Sequence, residues 1–135
     1  MTDTIYELEF LVRDYELDLQ GIVNNSNYQH YLEHARHEFL FTKNIDFAKL
    51  HDEETDLVVT RVEMDFKYPL KTRDKFVVTV KALKEGNLKI VFEQSILRLQ
   101  DRKVILNAKI TGVCLKKGRP VKPEDAIDLT TLGIN

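Results

Sequence analysis

The sequence predicts an α+β fold in which a five-stranded antiparallel sheet wraps around one long helix, and three features of the chain carry that expectation. Apolar and polar residues alternate with a period of two in five separate segments. Only one stretch repeats its apolar residues at the helical period over several turns. The later strand segments are joined by short polar links, which makes them antiparallel neighbours.

In chain order, Tyr6, Leu8, Phe10 and Val12 alternate with Glu7, Glu9 and Leu11, the pattern of a half-buried strand. A turn-like segment follows, Asp18-Leu19-Gln20-Gly21. Ser26-Asn27-Tyr28-Gln29 then offers a capping box, a hydroxyl for an unpaired helical N–H and a returning Gln, and places a helix start there. At 100° per residue, Tyr28, Tyr31, Leu32, Ala35 and Phe39 share one face, with His30, Glu33 and His37 opposite. The helix is expected to stop near Asn44, which tolerates the left-handed cap conformation, and Asp46 to cap a short piece through Leu50.

From Leu57 the period changes to two, with Val58, Thr60, Val62, Met64 and Phe66 on one face and Arg61, Glu63 and Asp65 on the other. Strands over 75–83, 88–99 and 104–115 follow, separated by Glu85-Gly86-Asn87 and Gln100-Asp101-Arg102, so four meandering strands are expected. Pro69 falls at a strand end, Pro120 and Pro123 punctuate a tail, and Glu124-Asp125 opens a last helical turn. No repeat or linker divides the chain, and residues 1–135 read as one domain. One helix is little cover for five strands. A curled sheet with exposed edges favours pairing with another copy, so a homodimer or homotetramer is expected.

Composition narrows the function. Twenty Lys and Arg stand against 22 Asp and Glu, a net charge of -2 that supplies no basic field for a nucleic-acid backbone. No segment approaches the ~18 apolar residues of a membrane span, and the N-terminus lacks a basic start followed by an apolar run, so a cytoplasmic protein is expected. Cys114 is the one cysteine, which leaves no internal disulfide and reads as a buried, inert thiol.

The chemistry concentrates between the first strand and the helix. Asp18 lies in the loop leading into the helix, beside Gly21, whose freedom suits a turn, and near the unpaired N–H groups of the first helical turn. A carboxylate there can attack a thioester carbonyl or deprotonate water while backbone N–H groups hold the oxyanion. The bland alternative is that Asp18 only organises an Asx-type turn.

The segment Asp18-Leu19-Gln20-Gly21-Ile22-Val23-Asn24-Asn25-Ser26-Asn27-Tyr28 resembles the hydroxybenzoyl-CoA thioesterase family of hotdog-fold proteins: an Asp, two variable residues, Gly, two branched apolar residues, and a polar pair preceding a Tyr. Tyr31-Leu32-Glu33-His34-Ala35-Arg36 resembles the family's central helix, and Val62 to Pro69 its strand ending in Tyr-Pro. The resemblance covers nearly the whole chain. It implies a hotdog fold and an acyl-CoA thioesterase that needs neither cofactor nor metal, with sites between subunits. Asp18 becomes the nucleophile or general base, and Gly21, Ile22, Val23, Asn25 and Tyr28 substrate-binding residues. Asn25 stands where the bacterial branch acting on short acyl-CoA often has His, so it orients by polarity and transfers no proton near neutral pH. Asn-Asn followed two residues later by Tyr is also similar to plant acyl-carrier-protein thioesterases, but where those have Asn and His after the Asp this chain has Gln20 and Ile22.

Two other clusters need weighing. His30-Tyr31-Leu32-Glu33-His34 matches the H-x-x-E-H zinc pattern, but the sequence offers no evident third ligand, and a solvated or subunit-facing pair is the expectation. Lys67, Lys71, Arg73 and Lys75 surround Pro69; the first three are candidates for the phosphates of coenzyme A, against a merely solvated charge run. Tyr28 either shapes an acyl pocket or packs in the core. Acyl-CoA hydrolysis leads, with a non-catalytic acyl-CoA or acyl-carrier binder and an acyl-carrier-protein thioesterase as alternatives.

Overall fold

The computed structural model describes residues 5–134; the first four residues and Asn135 of the expected 1–135 domain lie outside it. The elements run β1 (Tyr6–Leu11), a 3-10 turn (Asp14–Glu16), α1 (Asn25–Thr42), α2 (Phe47–Asp52), β2 (Thr55–Phe66), β3 (Lys75–Glu85), β4 (Lys89–Arg98), β5 (Val104–Lys116), β6 (Arg119–Val121), α3 (Pro123–Ala126) and a closing 3-10 turn (Leu129–Leu132). The sheet order is β1-β3-β4-β5-β2 with β6 beside β5, every pairing antiparallel.

β3, β4 and β5 form the expected hairpin series, turned by left-handed residues at Gly86 (φ 64) and Arg102 (φ 57). β2 departs from the expected meander: it pairs with β5 and forms the edge opposite β1. From there Leu57, Val62 and Met64 pack against the core, which β1 reaches from the other edge through Tyr6, Leu8 and Phe10. A straight meander would have put β2 next to β3, the position β1 holds.

The alternation read along β2 is also interrupted. Its register against β5 shifts between Val59 and Arg61, a bulge that reverses the sides of the residues before it. Val62 and Met64 face inward as expected, but Leu57 and Val59, not Val58 and Thr60, line the cleft beside α1.

β6 is a sixth strand where the sequence suggested a tail. Lys117 (φ 51) and Gly118 (φ 77) form a two-residue turn with both φ positive, the hairpin type that follows strand twist, and return the chain to β5. Pro120 is tolerated there because the strand is short and marginal.

α1 begins two residues earlier than the expected capping box. The Asn24 side-chain oxygen accepts the Ser26 N–H at 3.0 Å and its hydroxyl at 2.9 Å, so Asn24, as strong a cap as Ser, takes the role and Ser26 lies inside the helix. The helix closes as expected at Asn44 (φ 63): Ile45 N–H donates to the Leu40 carbonyl at 2.9 Å and Asn44 N–H to Phe41 at 3.0 Å. Asp46 caps α2 through Ala48 N–H at 3.0 Å. Tyr28, Tyr31, Leu32, Ala35 and Phe39 are buried on one stripe, with Phe76, Val78, Ile90, Ile96, Leu106 and Ile110 of the sheet in the same core. Each such large side chain contributes about 1.5–3 kcal/mol by leaving water. Cys114 is buried at 1% exposure.

Candidate active site

After the 3-10 turn the chain reverses over Asp18–Gly21. Leu17 and Val23 pair as an isolated bridge, Asp18 N–H donates to the Ile22 carbonyl at 2.8 Å, and Gly21 N–H donates to the Asp18 carbonyl at 3.1 Å. Gly21 holds φ +76, which a side chain would strain. Asp18 Oδ1 accepts Gln20 N–H at 2.8 Å and lies 3.4 Å from Ile22 N–H. Asp18 does therefore organise the turn, but with one oxygen. Oδ2 has no hydrogen-bond partner among the described residues, and the side chain is exposed.

This turn is tied down on two sides. The Glu16 carbonyl accepts both Asn24 N–H at 3.1 Å and Asn27 Nδ2 at 2.9 Å, which fastens the loop to the start of α1. Val23 N–H donates to the Leu70 carbonyl at 2.9 Å, Leu70 N–H donates to the Tyr28 hydroxyl at 2.8 Å, and Ile22 bridges to Lys71. Tyr28 is 2% exposed and lies edge-on to Phe66 at 5.5 Å. Burial raises its pKa first, with the charges of Asp74 and Asp18 adding to the shift.

The other expected site residues fall as follows. Gly21 and Ile22 are half-buried in the turn, Val23 is in the core, and Asn25 is the exposed first residue of α1. The Ile22 bridge brings Lys71 against the Asp18 turn; Lys67 and Arg73 share its link, exposed, with no hydrogen bond or ion pair to the turn among the described residues. His30 and His34 are exposed, and His34 sits 3.8 Å from Glu38. Among the described residues no cluster of three His, Cys, Asp or Glu side chains is arranged to hold a metal.

One polar element escaped the sequence reading. Arg36 is 6% exposed inside α1; its Nη1 donates to Gln94 Oε1 at 3.0 Å, and Gln94 Nε2 donates to the Leu32 carbonyl at 3.0 Å. Burial lowers the Arg36 pKa, with Glu33 pulling the other way. Arg36 borders a cleft of about 380 Å³ whose apolar walls are Leu40, Phe47, Leu57, Val59, Phe92 and Ile110. The available signal was Gln94, a polar residue in phase with Phe92 and Ile96 on the inward face of β4.

Compared with known proteins, residues 12–129 match the model of the thioesterase-like superfamily, and the chain belongs to that family. A chloroplastic acyl-acyl carrier protein thioesterase of Arabidopsis thaliana is 38% identical over 123 residues, 90% of this chain and 65% of that protein. The chain thus spans just under two thirds of the length of its plant relatives. An acyl-CoA thioesterase of Haemophilus influenzae is 30% identical over 115 residues, 83% of this chain and 85% of that one. The crystal structure of a hypothetical protein from Aquifex aeolicus superposes with a TM-score of 0.83 at 28% identity, covering 94% of this chain and 98% of that chain. The fold is the hotdog fold, a curled antiparallel sheet with one main helix. No helix among the described residues is long and apolar enough to cross a membrane.

Proposed function

We propose that this protein hydrolyses the thioester of a coenzyme A ester to a free acid and CoA, with Asp18 as nucleophile or general base. The observation that carries this is the division of labour in the Asp18 carboxylate. Oδ1 is held by backbone N–H groups, so the group is oriented, while Oδ2 has no hydrogen-bond partner among the described residues and the side chain is exposed. An oriented, unpaired carboxylate oxygen is what attack on a carbonyl or activation of a water requires. Membership in the thioesterase-like superfamily supports the reaction class, and the acyl-CoA relative supports the carrier. Gly21, Ile22, Val23, Asn25 and Tyr28 surround the reacting group or hold it, and Lys71, with Lys67 and Arg73, meets the phosphates of the carrier.

The working form is a homodimer or homotetramer with sites between subunits. β2 is a long edge strand, and Val58, Val59 and Phe66 along it are 40%, 45% and 47% exposed. A long apolar edge is a template for a second copy.

A second reading has its own support: the plant relatives are named for acyl carrier protein rather than CoA. The chemistry at Asp18 is the same, and only the carrier differs. Matched acyl-CoA and acyl-carrier-protein panels with free-thiol detection test both. Thiol release from either establishes hydrolysis and identifies the carrier; saturable binding with no thiol release replaces the enzyme with a binder.

A further inference from the structure

The cleft that Arg36 borders is built without the Asp18 loop: its walls come from the later turns of α1, from α2 and from the strands. Its volume of about 380 Å³ falls within the ~300–1,000 Å³ of small-molecule sites, and most of its lining is apolar, as in such sites. One wall is lightly held. α2 contributes Phe47, whose ring centroid lies 4.9 Å from that of His37, and no residue of α2 is buried.

The polar end of the cleft is a cation without an anion. Arg36 is 6% exposed, and its hydrogen bond to the sheet goes to the neutral amide oxygen of Gln94, whose own N–H is spent on the Leu32 carbonyl. A guanidinium carries five N–H donors, and that bond uses one. Arg36 forms no ion pair among the described residues: Glu33, on the same cleft, acts on it through charge alone and is exposed to water. Taking a charge out of water without a counter-charge is costly, so a buried cation ordinarily meets an anion.

We infer that this cleft is a binding site for a free aliphatic carboxylic acid, with the carboxylate on Arg36 and the alkyl tail along Leu40, Phe47, Val59 and Ile110. The carboxylate accepts from the guanidinium N–H groups that Gln94 leaves over, a charge-assisted bond, and the tail leaves water against the apolar walls. Glu33 repels a second negative charge, which disfavours a phosphate head, and Arg36 repels a cationic one. The acid is of the class that the proposed hydrolysis would release, but its binding does not depend on that reading.

The test is calorimetry of decanoate, decyltrimethylammonium and acetate with the wild-type protein. Decanoate should bind saturably at one site, acetate should not bind measurably, and decyltrimethylammonium should be weaker than decanoate by on the order of tenfold or more, since it carries the tail without an acceptor. Arg36→Gln should weaken decanoate by on the order of tenfold or more and erase its advantage over the cationic analogue. Because that variant also loses the Gln94 bond, Val59→Phe supplies an independent arm. It narrows the cleft from a position that is 45% exposed, keeps Arg36, and should weaken decanoate several-fold with little change in thermal midpoint. Absence of saturable decanoate binding, equal affinity for the cationic analogue, or an affinity that both variants leave unchanged would overturn the inference; the first leaves the cleft to a second copy of the chain or to water, and the last puts the acid elsewhere. Asp18→Asn keeps the two readings apart: it should bind decanoate as the wild type does whether or not the wild type releases thiol from acyl-CoA, and loss of decanoate binding in that variant would move the acid to the Asp18 loop and overturn the inference.

Discussion

Asn27 Nδ2 donates to the Glu16 carbonyl at 2.9 Å, and this bond joins the first turn of α1 to the loop that carries Asp18. The same carbonyl accepts Asn24 N–H, so Glu16 holds the loop to the helix at two points. Asn27→Ala removes one of them. It should cost about 1 kcal/mol of stability, a fall of a few degrees in the thermal midpoint. If the bond also positions Asp18, kcat on the best thioester should fall several-fold at a temperature where the variant is folded. The same substitution in an Asp18→Asn background should change stability and not rate. A rate effect of equal size in both backgrounds would show that Asn27 acts on something other than Asp18.

Asp18→Asn separates turn from chemistry. Asn retains an Oδ1 for the Gln20 and Ile22 N–H groups, so the turn and the thermal midpoint should be kept. It has no anionic oxygen, so turnover should fall on the order of 100-fold or more. Near-normal turnover in a folded variant would reduce Asp18 to a turn residue.

Cys114 sets an alkaline limit. Burial pushes its thiol up from 9.0 to about 11. The neutral thiol is the form the fold prefers, so its contribution to stability is whole below pH 9 and is lost as the pH rises from 9 through about 11. Denaturant titrations across that interval should show stability falling, and Cys114→Ala should flatten the fall while lowering stability overall. At pH 8 an aromatic disulfide reagent should label the native protein far more slowly than the unfolded chain; rapid labelling of native protein would contradict the burial.

The β2 edge bears on assembly. Light scattering at micromolar concentration should give the mass of a dimer or larger, and Val58→Lys, at an exposed apolar position of this edge, should shift the balance toward smaller species. A monomeric wild type would remove the shared-site arrangement.

The sequence conveyed most of the architecture where a single rule governs the local chain. The α1 stripe, the Asn44 stop, the Asp46 cap and the hairpins of β3, β4 and β5 each follow from side-chain period or turn chemistry alone. The misreadings fall where two rules compete. Asn24 and Ser26 are both good caps, and only the bond network of the Glu16 carbonyl decides between them. Alternation along β2 reads as unbroken because Val58 and Val59 are both apolar, which hides the bulge. β2 reaches the far edge for tertiary reasons that no local pattern records. Within the candidate site, the Asp18 turn and its Gly21 were legible as turn chemistry, whereas the Leu70–Tyr28 and Ile22–Lys71 contacts join segments more than forty residues apart and leave no trace in spacing.

The Arg36–Gln94–Leu32 linkage has an evolutionary corollary. By bonding a helical side chain and a helical carbonyl to one strand residue, Gln94 fixes both the rotation and the axial position of α1 over the sheet. The helix cannot slide to widen or shorten the neighbouring cleft without breaking two buried bonds at once. Variation in what that cleft accommodates must therefore proceed by exchanging wall residues such as Leu57, Val59 and Phe47, one side chain at a time, while the scaffold stays in register.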